Sequence, residues 1–100
     1  MSRALFIAPA RRDFLNEVAY YTSVEPGLGE RFASSEEEAV ARALAFPLSG
    51  SPASSNTRRV FVQNFPFAVV YRPDKSGIVI FALAHHSRHP EYWQPRIQDR

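Results

Sequence analysis

The sequence predicts an α+β fold in the order β-α-α-β-β-β, a helical hairpin packed on one face of a small, mostly antiparallel sheet. Three observations predict it. Apolar residues recur at helical spacing from Phe14 to Phe46. The period changes to two after Thr57. The later strands are joined by short, turn-forming connections, which make consecutive strands antiparallel neighbours. A chain of 100 residues is expected to be one domain, spanning 1–100. Its content, 45% hydrophobic and 13% aromatic, supplies one core. A chain of this size hides about two-thirds of its unfolded surface, which excludes general disorder and leaves no room for a separate cofactor domain.

Ala4 to Ala8 (ALFIA) is a short apolar run ended by Pro9 and reads as the first strand. Asp13 then precedes Phe14, Leu15, Val18 and Tyr21, a helical stripe whose leading acid suits a helix start. Glu25-Pro26-Gly27 stops this helix. In the second helix Leu28, Phe32, Ala39, Ala43 and Phe46 fall close to one face, and Glu38 and Arg42 form an i, i+4 pair. Ser35-Glu36-Glu37-Glu38 offers a capping box at which the helix could restart, and Pro47 ends the segment. Leu48 to Thr57 (LSGSPASSNT) reads as a loop, longer than the ordinary length of about four to six residues. Arg59–Phe65, Phe67–Arg72 and Ile78–His85 read as strands, with turn chemistry at Pro73-Asp74-Lys75-Ser76-Gly77. Helices on one face leave the other face and the sheet's ends free. Alternation places Val79, Phe81, Leu83 and His85 on one side of the last strand. Arg59 shares a face with Phe61, and Arg72 with Val70 and Ala68.

The net charge of +2 is unevenly spread. Residues 1–56 hold five arginines against seven acids; residues 57–100 hold seven basic residues against three acids. The balance is therefore −2 in the first part and +4 in the second, which favours an anionic partner for the C-terminal part. Eleven of the twelve basic residues are arginine, which suits bidentate contacts to phosphate or carboxylate. A GC-rich genome would give the same bias. The absence of cysteine excludes a disulfide scaffold, a zinc ribbon and a thiol nucleophile. No run approaches the roughly 20 apolar residues of a membrane span, and Met1 to Ala10 is too short and interrupted for a signal peptide. The expected location is the cytoplasm, with no membrane partner.

Chemistry-bearing residues concentrate between Ala84 and Arg96. Cleaving RNA without a metal needs a base for the ribose hydroxyl, an acid for the leaving oxygen and cations for the crowded phosphate. Histidine serves the first two roles near neutral pH, and arginine serves the third. Tyrosine and tryptophan offer planes on which unpaired bases stack. All four types occur here, as His85, His86, Arg88, His89, Tyr92, Trp93 and Arg96. The competing reading has Tyr92 and Trp93 packing the C-terminal tail, with Arg88 and His89 hydrogen-bonded beneath. The three histidines lack zinc-site spacing, and Glu91 is the one acid close by, so no metal or cofactor is expected. No Gly-x-Ser-x-Gly elbow and no phosphate-binding glycine loop is present. Arg58-Arg59 opens a strand, as either a solvated end or a ligand contact. Asn64-Phe65-Pro66-Phe67 reads as core and turn.

The helical hairpin, the Arg58-Arg59-Val60 strand, Phe65-Pro66-Phe67-Ala68-Val69-Val70-Tyr71-Arg72, and the ending Ala84-His85-x-x-Arg88-His89-Pro90-x-Tyr92-Trp93-x-x-Arg96 together resemble the RelE/ParE superfamily of toxins from bacterial type II toxin–antitoxin (plasmid stabilisation) modules. The resemblance covers nearly the whole chain. It implies a growth inhibitor held inactive by a cognate protein antitoxin that folds onto it, with acidic character to match the basic part. One branch resembles RelE and cuts mRNA on the ribosome as a metal-free endoribonuclease. Matched by position, Arg59, Arg72, His85, Arg88 and Tyr92 would then be catalytic, and Arg58, His89, Trp93 and Arg96 would contact the nucleic acid. The other branch resembles ParE, which poisons DNA gyrase and is not known to be a nuclease. The RelE-like pattern has a lysine on the second strand and a tyrosine nearly at the C-terminus. This chain has neither, its tyrosine lying eight residues before the end.

Overall fold

The structure is a computed structural model, and it describes residues 2–98. Strand β1 (Arg3–Phe6) leads into helix α1 (Ala8–Val24). Pro9, read from sequence as the end of a strand, lies in the first helical turn. A proline costs nothing there, because its missing N–H would be unpaired anyway. Asp13 is therefore an interior helix residue, not a helix start. Glu25 ends α1 in an extended conformation, and Gly27, at φ 84°, begins α2 (Leu28–Ala45). The helix runs unbroken through Ser35 to Glu38, so the capping box does not restart it. Gly29 lets the helices close together: a Cβ there would stand 2.9 Å from the Val18 carbonyl oxygen.

The sheet has the order β1-β5-β4-β3-β2, built with β2 (Ser51–Ala53), β3 (Thr57–Phe61), β4 (Phe67–Asp74) and β5 (Gly77–His85). Only β1 pairs in parallel, with β5, so the fold is α+β and mostly antiparallel, as expected. Two boundaries differ from expectation. The serine-rich loop contains the edge strand β2, and β3 stops at Phe61 because the chain turns at Asn64, whose φ is 69°.

Helix-side packing centres on Phe32, fully buried, with Phe14, Tyr21, Phe65 and Phe67 at ring-centroid distances of 6.2, 5.1, 5.1 and 5.6 Å. Aromatic pairs in such arrangements add about 0.5–1.5 kcal/mol each beyond the area they bury. A bulge breaks the alternation of β5. Val70 pairs with Ala82 but Tyr71 pairs with Ile80, leaving Phe81 unmatched. Val79, Phe81, Ala82 and Ala84 consequently join the outer core, whereas Ile78, Ile80 and Leu83 join the helix-side core. The single face expected for Val79, Phe81, Leu83 and His85 is thus split in two.

The outer face is covered rather than free. A 3-10 turn (Pro90–Tyr92) and the short helix α3 (Gln94–Gln98) lay Trp93 and Ile97 over Val70, Val79 and Phe81. The sequence reading missed α3 because its five residues are too few to show a period. Among the described residues no helix is long and apolar enough to cross a membrane.

Candidate functional site

A cleft runs between α1 and the end of β5. His85, the last residue of β5, stands edge-on to the Phe67 ring at 5.1 Å. Its ring lines a hollow with Glu17, Tyr20, Tyr21 and Pro66. The hollow continues past Asn16 to Arg88 and Tyr92. Nδ1 of His85 accepts the backbone N–H of Ser87 at 3.0 Å and lies 2.7 Å from the Ser87 hydroxyl. An amide can only donate, so the neutral ring carries its proton on Nε2. His85 therefore presents a donor to whatever occupies the cleft.

Arg88 is exposed and lies flat over the Tyr92 ring, 4.1 Å from its centroid. Tyr92 donates its hydroxyl to the Leu83 carbonyl at 2.9 Å. Burial pushes the phenol up to about 12; the nearby Asp13 carboxylate adds to this, and Arg96 and Arg88 oppose it. Tyr92 is thus a neutral, committed donor. Arg96 grips Asp13 through two contacts of 2.7 and 3.2 Å and also donates to the Phe81 carbonyl at 2.9 Å. Asp13 in turn accepts the Leu83 N–H at 3.2 Å. These bonds tie α1, β5 and α3 together and set the wall against which Tyr92 packs.

The remaining sequence-predicted residues lie elsewhere. Arg59 sits opposite Val70 on the outer face, exposed, with its guanidinium 5.8 Å from the Phe61 ring. Arg72 is on the same face, donating to the Ser55 and Asn56 carbonyls at 2.5 and 3.2 Å and covering Phe81 at 5.4 Å. Arg72 pairs with Val79, six residues from His85 along β5. At about 3.3 Å per residue that separates them by roughly 20 Å. Arg58 donates to the Leu48 and Gly50 carbonyls at 2.9 and 2.8 Å. Trp93 is 3% exposed, so its ring faces pack the tail and are closed to a base. Arg88 and His89 are exposed rather than buried beneath it. His86, also exposed, meets Phe61 edge-on at 5.4 Å.

The structure thus brings His85, Arg88 and Tyr92 together and keeps Arg59 and Arg72 apart from them. It adds Glu17, Asn16 and Tyr20, which sequence reasoning missed. Their helical spacing marked the border of a face, but nothing in the sequence tied that border to a strand end nearly 70 residues away.

A small sheet carrying a helical hairpin, with a basic C-terminal cleft beside it, places the protein in the RelE/ParE superfamily of toxins. The description "ParE toxin of type II toxin-antitoxin system, parDE" matches residues 5–90, and the chain belongs to that family. Among solved structures it is similar to a chain of the chromosomal ParDE toxin–antitoxin system from P. aeruginosa. The TM-score is 0.73 at 18% identity, over 85% of this chain and 96% of that one. No individually curated protein matches in sequence. Membership of a ParDE-type module implies a cognate antitoxin as partner.

Proposed function

We propose that the chain arrests growth by docking on DNA gyrase in the cytoplasm, and that its antitoxin prevents this. The carrying observation is the separation of the groups that metal-free RNA cleavage would need to combine. Arg59 and Arg72 lie on the outer face, while His85, Arg88 and Tyr92 lie in the cleft on the helix side. Three of the arginines are also committed within the fold: Arg58 and Arg72 to backbone carbonyls, and Arg96 to Asp13. A clamp on a phosphorane needs donors that are free to point at it. Gyrase is the target of the ParE branch that the sequence resembles. The cleft, with exposed Tyr20 and Arg88 at its rim, is the surface that would make the contact.

One observation favours mRNA cleavage as a second reading: His85, with a proton on Nε2, shares the cleft with Glu17 and Arg88. Purified toxin in two parallel assays separates the two readings. Blocked supercoiling with intact mRNA on programmed ribosomes is the expected result, relieved when antitoxin is added. New mRNA 5′ ends that vanish with antitoxin, while gyrase runs normally, would overturn it.

A further inference from the structure

Away from the cleft, large exposed apolar side chains gather at one place. Phe46, which ends α2, is 68% exposed, and Leu48, two residues on, is 72% exposed. Phe61, at the end of β3, is 46% exposed and lines a groove of about 490 Å³ together with Phe46. Scattered exposed apolar residues are ordinary, but a cluster of them marks a contact surface.

The segment carrying this cluster is held firmly. The Tyr71 hydroxyl donates to the Pro47 carbonyl at 2.7 Å, and Arg58 holds the carbonyls of Leu48 and Gly50. Gly50 is closed down so tightly that a Cβ would stand 2.9 Å from the Arg59 carbonyl oxygen. Arg42 reaches from α2 to the Phe61 carbonyl at 2.7 Å. Four side-chain hydrogen bonds thus fix a backbone whose apolar groups face solvent, an arrangement that contributes nothing to the core. Apolar groups on a preorganised backbone lose little freedom on binding. Aromatic residues and arginine are also the types that concentrate binding energy at interfaces.

The groove's charge is one-sided. Arg42 and Arg59 line it and no carboxylate does, Glu38 being outside the lining and paired to Arg42 at 3.0 Å. The groove shares no residue with the cleft at His85. We propose that it docks an acidic peptide segment of the antitoxin. A bulky apolar side chain of that segment would seat between Phe46 and Phe61, with its carboxylates set against Arg42 and Arg59. This inference rests on the chain being the toxin of a two-protein module, and not on which target the toxin attacks.

The test uses the full-length toxin and the antitoxin encoded with it. Phe46→Asp and Phe61→Ser variants, first shown to melt as the parent does, are induced with and without antitoxin. Affinity for purified antitoxin is measured alongside by calorimetry. The expected result is full toxicity, failed rescue, and affinity weakened about tenfold or more. Unchanged antitoxin affinity in both variants overturns the proposal. Lost toxicity with unchanged antitoxin affinity also overturns it and gives the groove to the target. A toxin dimer that the variants dissolve, with antitoxin affinity unchanged, overturns it in favour of a second copy of the chain. Weakened antitoxin binding in a toxin that cuts mRNA supports the docking site while refuting the gyrase reading.

Discussion

At the scale of single residues, Asp13 and Arg96 show how a site is set by groups that never reach a ligand. Their side chains are 18–19% exposed, and between them they bind Leu83 and Phe81 on β5. Removing one partner leaves the other charge largely out of water, so Asp13→Asn should cost about 2–4 kcal/mol. The melting temperature should fall by on the order of 10–20 °C in a thermal scan. Glu36 is the opposite case. It is 3% exposed, its Oε2 has no hydrogen-bond partner, and burial, reinforced by Glu37, pushes its carboxyl up from 4.5 to about 7. The folded value lies above the unfolded one, so the group favours the fold while protonated, and that contribution is lost as pH rises through about 7. Denaturant melts should show stability falling between about pH 5 and pH 8, by up to roughly 3 kcal/mol from this residue. Glu36→Gln should flatten that slope and stabilise the protein at pH 8. An unchanged slope in the variant would refute the assignment.

Elements explain what the sequence could and could not reveal. The helical hairpin and the three long strands were legible because each repeats one period over several residues and ends in proline, glycine or turn chemistry. The short pieces were not. Strand β2 has three residues, and its place depends on Arg58 and Tyr71 holding the loop beside it. Helix α3 has five residues, and its place depends on Trp93, Ile97 and the distant Asp13. Of the candidate site, His85, Arg88 and Tyr92 were legible because they lie within eight residues of one another. Arg59 and Arg72 could not be excluded from that group, because alternation does not reveal a bulge. Helix α3 gives a sharp test. Trp93→Ala should cost about 3–5 kcal/mol by opening the outer core. As the chain's one tryptophan, Trp93 also reports docking directly. Its emission should be blue-shifted in the native state and move red before global unfolding if α3 detaches first.

The whole molecule separates its partners in space. One end of the sheet carries the cleft with His85, Arg88 and Tyr92; the margin near the end of α2 carries Phe46 and Phe61 between Arg42 and Arg59. The basic excess of residues 57–100 serves both surfaces. Affinity for an acidic antitoxin should therefore weaken several-fold as salt rises from about 0.05 to 0.5 M, read by the same calorimetry. Salt-independent binding would argue for a purely apolar contact. The extra residue in β5 has a further consequence, for the chain's ancestry and its engineering. It works as a phase shifter: upstream of Phe81 the strand's odd positions face outward, and downstream they face the helices. Deleting that one position would restore a single phase and carry His85 to the opposite side of the sheet. A one-codon change could thus relocate the working surface without altering any residue that forms it.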